Sequence, residues 1–376
     1  MTNKKTRRRI NGKLIALISI VAFLLIIVFC LPPVIKYNKI KSLGYDEVSI
    51  DVLYENSLED LVIDDSLYTN SLNDALKSDS FDIKYLEVYK TIALISDEQK
   101  LIFDRLSLKG YTPIQIASLF NTLKIYEITP LLVFSYQENL ELYINDCKNN
   151  NVINSKDSFT LTNSYVNFYT DTKEVTNLNS FDKLVSKEYY LPSDYEPSNL
   201  VELPVKYAAR DVFIEGNAAD HFKAMMDDML EEDLRAYATN AYRSYDYQKT
   251  IYNQYVIKHG QEKADTFAAR AGHSEHQTGL TLDITAVDME GILDYEETPE
   301  YKWMDQNAHL YGFIQSYKKG KTSITGYQAE SWHWRYLGVE LATKVKKSNL
   351  TYNEYYELYI KQEEINEENN ESTNTK

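Results

Sequence analysis

Residues 272–285 read GHSEHQTGLTLDIT, and this stretch decides how the C-terminal half of the chain folds. In its second half apolar and polar side chains alternate, which is the two-residue period of a β-strand. If Leu282 and Ile284 face the core, Asp283 between them faces the opposite side, toward a cleft. His276 comes just before the strand. The stretch therefore predicts a strand that carries a carboxylate and is preceded by an imidazole.

The sequence on either side of this strand alternates between helical and extended patterns. Apolar residues recur at helical spacing over residues 218–232 and again over 248–256. Residues 234–242 and 332–336 have the character of strands, and a proline opens a further helix over 299–312. Strands and helices in this order predict an α+β domain, with a small antiparallel sheet and flanking helices.

A second polar cluster, ESWH, occupies residues 330–333. Together, His276, Asp283 and His333 make a three-ligand set that leaves one position open, which is the arrangement of a catalytic zinc site. Glu330, three residues before a ligand, is placed to take a proton from water at that position as a general base. Positions three apart in a straight strand point to opposite faces, so the chain must turn between Glu330 and His333 for their side chains to converge.

Arg243 lies in the stretch AYRSYDYQ (residues 241–248), where a strand is predicted to pass into a helix. A planar guanidinium can hold a carboxylate through two parallel hydrogen bonds. A peptidase that removes the last residue of a peptide must bind a terminal carboxylate, and Arg243 is a candidate for that task. Each of these features alone occurs often by chance. The prediction depends on their occurrence together and in this order.

Three stretches, YRSYDYQ, SEHQTGLTLDI and ESWHWRY, resemble the metallo-carboxypeptidase family that includes VanY-type D-alanyl-D-alanine carboxypeptidases and related L,D-carboxypeptidases. The resemblance covers about residues 180–348. The family patterns S-x-H-x-x-G-x-x-x-D and E-x-W-H match without a gap, on Ser274, His276, Gly279 and Asp283, and on Glu330, Trp332 and His333.

The resemblance implies a zinc carboxypeptidase that removes the C-terminal D-alanine from the stem peptides of bacterial peptidoglycan. It leaves open an L,D-carboxypeptidase acting on tetrapeptide stems, and a D,D-dipeptidase or endopeptidase. A non-catalytic wall-binding protein is a further alternative, although such a protein has no need of a general base. The resemblance assigns Zn2+ ligation to His276, Asp283 and His333, catalysis to Glu330 and Arg243, and substrate binding to Arg243, Gln248 and Ser274.

Residues 14–35, LIALISIVAFLLIIVFCLPPVI, carry no charge. As a helix they would extend roughly 33 Å at about 1.5 Å per residue, enough to cross a bilayer core. Residues 1–13 hold six lysines and arginines. By the positive-inside rule, residues 1–13 form a cytoplasmic basic segment and residues 14–35 a single-pass anchor in the cell membrane. The catalytic domain is then extracellular.

Three other interpretations of the apolar segment are less well supported. A cleaved signal peptide would need an A-x-A-like site, and none is visible. A lipoprotein would use Cys30, but the bulky Phe29 precedes it where a small residue is expected. A buried core helix does not suit a position so close to a basic terminus.

Composition excludes several classes of protein. The chain has 376 residues, with 40 Lys plus Arg against 56 Asp plus Glu, a net charge of −16. Such a charge argues against a nucleic-acid-binding protein, which needs a basic face. The chain contains two cysteines, and only Cys147 lies beyond the apolar segment. This excludes a fold held by disulfides and a CxxC-type zinc site.

The region after the anchor contains a possible internal repeat. Gly44-Tyr45 recurs as Gly110-Tyr111, at an offset of 110 − 44 = 66 residues, and each copy predicts a turn followed by a short helix. Such a region is either a spacer or a module that binds the wall or a partner. The predicted domains after the anchor are a mainly helical region (40–145), a linker (146–179), the zinc carboxypeptidase domain (180–349) and an acidic tail (350–376).

Overall fold

The computed structural model describes residues 31–92, 96–133, 140–150, 168–209, 211–287 and 295–361. These described residues divide into two compact units, one within residues 31–103 and 111–121, the other within residues 104–110 and 122–361.

The predicted anchor lies almost wholly outside the described residues, because the description begins at residue 31. Residues 1–13 lie outside it as well. Within the described residues, none of the helices combines the length and the apolar character needed to cross a membrane. The anchor therefore stays a prediction from the sequence.

The region predicted as helical consists of short helices, several of which begin at a side-chain cap. The side chains of Asp46 and Thr69 accept hydrogen bonds from the backbone N–H groups of Ser49 and Leu72. These bonds satisfy N–H donors that have no partner within the first turn of a helix. The helices are α1 (residues 31–43), α2 (Glu47–Glu55), α3 (Glu59–Asp64), α4 (Asn70–Leu76), α5 (Leu86–Tyr89), α6 (Asp97–Leu108), α7 (Pro113–Thr122), α8 (Ile125–Ile128), α9 (Pro130–Val133) and α10 (Leu140–Asn150).

The two Gly-Tyr copies have the same local structure. Gly44 and Gly110 each follow a helix and have positive φ values of 121° and 92°, which residues other than glycine rarely adopt. The tyrosines after them are both 2% exposed. A short helix follows in each copy. Pairs at the same offset are fully buried: Ile50 and Ile116, Leu53 and Leu119, Val62 and Ile128. The two copies thus share their local structure, while the internal repeat and its role stay hypotheses.

A four-stranded antiparallel sheet forms the centre of the C-terminal part, with strand order β5–β6–β8–β7. The two smaller sheets are a parallel β1–β2 pair and an antiparallel β3–β4 pair. The strands are β1 (Lys173–Glu174), β2 (Tyr189–Tyr190), β3 (Leu200–Glu202), β4 (Phe213–Glu215), β5 (Ala236–Asn240), β6 (Thr281–Ala286), β7 (Phe313–Gln315) and β8 (His333–Tyr336).

Helices pack around this sheet. Phe222 and Met225, on the helix Gly216–Glu231, share a core with Leu282 and Ile284 of β6. Their helical and alternating spacings predict this packing. The α+β class with a small antiparallel sheet is therefore confirmed, although β7 was not predicted. The helices are α11 (Gly216–Glu231), α12 (Tyr245–His259), α13 (Gln261–Ala264), α14 (Pro299–Asn307), α15 (Thr322–Thr325), α16 (Val339–Ser348) and α17 (Tyr352–Tyr355), with 3-10 turns at Glu275–Thr278, Tyr295–Glu297 and Ala308–Tyr311.

The acidic tail predicted from residue 350 begins later. After α17 the helix continues as a π-helical segment, Tyr356–Ile360. Tyr352, Tyr356 and Leu358 are 2%, 5% and 1% exposed, because aromatic residues spaced four apart place one face of the helix against the domain. The domain therefore continues at least to Lys361, where the described residues end.

Part of the predicted helical region also belongs to the same unit as the catalytic domain. The Arg105 guanidinium of α6 donates to the backbone oxygen of Leu358 at 3.3 Å. The Thr129 hydroxyl donates to Glu354 at 2.6 Å. A boundary at residue 145 would cut these contacts, which lie within one compact unit.

Truncating the chain after Asn349 should therefore destabilise this unit, whereas truncation after Lys361 should not. The shorter chain loses several buried residues, among them the apolar side chains of Tyr352, Tyr356 and Leu358, which each contribute about 1.5–3 kcal/mol. We expect the thermal midpoint to fall by at least about 10 °C. Thermal unfolding followed by circular dichroism provides the measurement. Equal midpoints for the two truncations would show that residues 350–361 do not contribute to the core.

Candidate active site

Strand pairing places the polar side chains of the site next to one another. Asp283, on the central strand β6, is paired with His333 of β8 on one side and with Asn240 of β5 on the other. His276 comes from the 3-10 turn just before β6. Gly279 ends that turn with a φ of 69°, and a Cβ there would lie 2.9 Å from Pro197. A glycine is therefore required to lead the chain from the turn into the strand.

Three donor atoms from these elements converge. His276 Nε2 lies 3.4 Å from Asp283 Oδ1, and His333 Nδ1 lies 3.5 Å from the same oxygen. One ligand atom from each of the three residues lies within 4.8 Å of the others, and all three residues are buried. Asp283 Oδ1 is buried without a hydrogen-bond partner. Two imidazole nitrogens and one such oxygen fit a divalent cation such as zinc.

The hydrogen bonds around the ligands orient their lone pairs. His276 Nδ1 lies 2.6 Å from the Ala241 carbonyl oxygen, which can only accept, so Nε2 is left with its lone pair. Asp283 Oδ2 accepts from Asn240 and Arg243, both at 2.9 Å, which leaves Oδ1 for the cation. His276 and Asp283 thus each have one polar atom held by the protein and one directed to the common point, where the three donor atoms converge.

The charges of the site suit a cation. Burial, together with the nearby Arg243 charge, lowers the pKa of His276, which keeps the ring neutral as a ligand must be. Burial opposes a charged His333, but the neighbouring carboxylates of Asp283 and Glu275 raise its pKa to about 10, so without a cation the ring also carries a proton on Nδ1, which a bound cation would displace. Burial likewise opposes ionisation of Asp283, but the two imidazoles hold its pKa well below the usual value. The carboxylates thus create a negative potential at the common point.

The chain turns between Glu330 and His333, as their spacing of three residues requires if their side chains are to converge. The turn comes just before β8, and the His333 N–H lies 3.4 Å from the Glu330 carbonyl oxygen. Glu330 Oε2 lies 3.4 Å from His333 Nδ1, and its side chain is 16% exposed. Burial raises the pKa of Glu330 to about 7. The structure thus places a carboxylate beside the three donors that is not one of them.

The remaining candidates line the same cavity, which has a volume of about 590 Å³. Arg243 lies between β5 and α12, and Ser244 after it caps α12 by accepting the Tyr247 N–H. Gln248 donates to the Ala269 carbonyl, and its Oε1 is buried without a hydrogen-bond partner. The cavity is lined by all seven predicted site residues: Arg243, Gln248, Ser274, His276, Asp283, Glu330 and His333.

Three further residues contact the site and were not predicted from the sequence. Asn240 holds Asp283, Glu275 accepts from His333 at 2.8 Å, and the Tyr317 ring lies 4.6 Å from the His333 ring. Glu275 precedes His276 in the motif, but adjacency alone gives no reason to expect contact with His333. The other nearby histidine, His273, lies outside the ligand group, with Nδ1 2.8 Å from the Ser186 oxygen.

Comparison with known proteins agrees with this geometry. The family model described as VanY, D-alanyl-D-alanine carboxypeptidase, matches residues 211–339. The Bacillus subtilis (strain 168) protein named "Putative carboxypeptidase YodJ" is 38% identical over 224 residues, covering 56% of this chain and 80% of that protein. The chain belongs to the VanY-type D-alanyl-D-alanine carboxypeptidase family.

Two other known proteins are also similar to this chain. A D-alanyl-D-alanine carboxypeptidase of Enterococcus faecium is 31% identical over 191 residues, covering 50% of this chain and 53% of that protein. The solved structure of the LdcB LD-carboxypeptidase is 38% identical, with a TM-score of 0.48, and covers 50% of this chain and 91% of that chain. This VanY-type protein is a zinc-dependent carboxypeptidase, and its His–Asp–His group fits that dependence.

Proposed function

We propose that this carboxypeptidase removes the C-terminal D-alanine from peptidoglycan stem peptides by cutting the D-alanyl-D-alanine bond. The observation that supports the proposal most is the position of Glu330, beside the three-donor group in a cavity that Arg243 also lines. A protein that only binds the cell wall needs no such carboxylate. The name of the Enterococcus faecium relative supports the choice of bond.

We assign the chemistry as follows. His276, Asp283 and His333 would hold the cation, which would supply Lewis acidity toward the scissile carbonyl and toward the attacking water. Glu330 takes a proton from that water and returns it to the leaving amine. Arg243 binds the substrate and helps to polarise the scissile carbonyl. Ser274 and the free Oε1 of Gln248 provide polar contacts to the substrate from the cavity wall.

We also propose that residues 14–35 anchor the protein in the cell membrane with its catalytic domain outside. The uncharged length of this segment and the basic residues before it support this placement. Peptidoglycan stem peptides lie outside the membrane, so an exported catalytic domain would meet its substrate there.

Mass spectrometry of defined stem peptides tests the substrate. The full-length protein is incubated with a pentapeptide that ends in D-alanyl-D-alanine and, separately, with the corresponding tetrapeptide. We expect release of one D-alanine from the pentapeptide, and no release after the metal is chelated. Cleavage of the tetrapeptide alone would instead support the L,D-carboxypeptidase. If a zinc-loaded protein cleaves neither peptide, that result would favour the wall-binding alternative.

Changing Arg243 to lysine should impair substrate binding. A lysine keeps the charge but loses the planar pair of donors, so we expect kcat/KM to fall by about 10- to 100-fold, mainly through KM. Steady-state kinetics of D-alanine release provides the measurement. Arg270→Lys is the matched control, because Arg270 pairs with Asp265 at 2.8 Å and does not line the cavity. A wild-type KM for Arg243→Lys would remove this arginine from the substrate site.

A further inference from the structure

We propose that Glu275 is a positioning residue that determines which nitrogen of His333 faces the metal ion. The inference rests on the zinc site of the proposed function. Glu275 Oε2 lies 2.8 Å from His333 Nε2, and both side chains are 4% exposed. Because a carboxylate only accepts hydrogen bonds, it requires the proton on Nε2. Nδ1, on the side of the ring that faces Asp283, is then the nitrogen that gives up its proton and binds the cation.

The carboxylate of Glu275 is itself held by two side chains. The Ser316 hydroxyl donates to Oε2 at 2.6 Å, and one guanidinium nitrogen of Arg335 lies 3.6 Å from Oε1. Arg335 follows His333 by two residues on β8, so both point to the same face of the strand. Glu275 can therefore contact His333 with one oxygen and face the guanidinium of Arg335 with the other.

The guanidinium of Arg335 has a fixed position beside the Glu275 carboxylate. Its side chain is fully buried, and its guanidinium donates to the backbone oxygens of Tyr336, Phe181 and Lys183, each at 3.0 Å. Since backbone oxygens move little, the guanidinium has one position, and the Glu275 carboxylate beside it has one orientation. A metal ligand on the sheet is thus tied to the loop at residues 181–183.

The two histidine ligands differ in what orients them. His276 is held by the backbone oxygen of Ala241, which no side-chain substitution removes. His333 is held by the side chain of Glu275. A substitution at Glu275 therefore disturbs one ligand and leaves the partners of the other two in place. Partners of this kind typically change metal affinity by about 10- to 100-fold.

Glu275→Gln in the full-length protein tests the proposal. If the new amide nitrogen faces His333, two donors meet, and the ring is driven to carry its proton on Nδ1. If the amide oxygen faces His333, Nε2 donates to a neutral acceptor that holds the ring more weakly than a carboxylate, and the amide nitrogen lies against the Arg335 guanidinium. In either case we expect the zinc affinity to fall by about 10- to 100-fold, measured by competition with a chromophoric chelator. The visible spectrum of the Co2+-loaded variant should also differ from that of the wild type.

Glu357→Gln is the matched control. Glu357 is an equally buried carboxylate with a 4% exposed side chain, and it accepts from Tyr189 rather than from a ligand. We expect this variant to keep wild-type zinc affinity. The substitution Ser316→Ala should have a smaller effect. It removes one neutral hydrogen-bond donor to Glu275, and we expect it to weaken zinc binding about fivefold.

The outcomes are separable. A folded Glu275→Gln variant whose zinc affinity stays within about threefold of wild type would overturn the proposal. If that variant does not fold, wild-type affinity in Ser316→Ala overturns it instead. Zinc binding is measured without turnover. A wild-type protein that binds zinc but releases no D-alanine would therefore contradict only the proposed function.

Discussion

Replacing Glu330 with glutamine should lower kcat by about 10²- to 10⁴-fold while zinc remains bound. Glutamine has nearly the same shape as glutamate, but its amide cannot take a proton from water. Glu330 lies 3.4 Å from His333 and outside the group of three ligands, so its loss removes no metal bond. Parallel measurements of D-alanine release and of zinc content per chain test both parts of this expectation.

The control for Glu330→Gln is again Glu357→Gln, which makes the same chemical change in a buried carboxylate that does not line the cavity. This variant should keep nearly all of its activity. If Glu330→Gln binds zinc and still turns over at close to the wild-type rate, the proton acceptor is another group. A variant that loses both zinc and activity would instead indicate that Glu330 supports the metal site.

Replacing His276 with alanine should weaken zinc binding by about a thousandfold or more and abolish D-alanine release with it. The substitution leaves two of the three donors, Asp283 and His333. Two protein ligands do not make the three-ligand set of a catalytic zinc site. Chelator competition on the full-length protein measures the affinity, and the stem-peptide assay measures the activity.

His273→Ala provides a control only three residues away. His273 packs against Tyr169 and Tyr190, and its Nδ1 lies beside the Ser186 oxygen, so it has a structural environment of its own. We expect its replacement to lower stability while zinc affinity stays at the wild-type level. Equal loss of zinc in both variants would mean that the affinity depends on the fold of this loop rather than on the His276 ligand.

Local periodicity was enough to predict most of the catalytic fold. The alternation over residues 280–285 corresponds to β6, and the helical spacing over 218–232 corresponds to α11. These patterns are readable because each element directs its apolar side chains at regular spacing into the same core. β7 has only three residues, Phe313–Gln315, too few to display an alternation. Residues 352–360 were assigned to the tail because the stretch that follows them, residues 361–376, shows no apolar periodicity.

The site residues differ in how far the sequence reveals them. His276, Asp283 and Glu330 stand in motifs with fixed spacing, and spacing is a local property. Asn240 reaches Asp283 across a bulge in β5, so its contact depends on strand register. Glu275 reaches His333, which lies 58 positions further along the chain. Contacts of this kind arise from pairing between strands, which the order of residues alone does not display.

The sequence by itself was enough to predict the type of chemistry, with two imidazoles and a carboxylate as ligands and a separate base, in an α+β domain. It is also the only source for the predicted membrane anchor. Tertiary structure alone decided which nitrogen of each histidine faces Asp283, and which partner holds the other nitrogen. The physical reason is that donor type is a property of a residue, whereas the direction of a lone pair depends on the partner across the ring. For His276 that partner is a backbone oxygen, and for His333 it is Glu275.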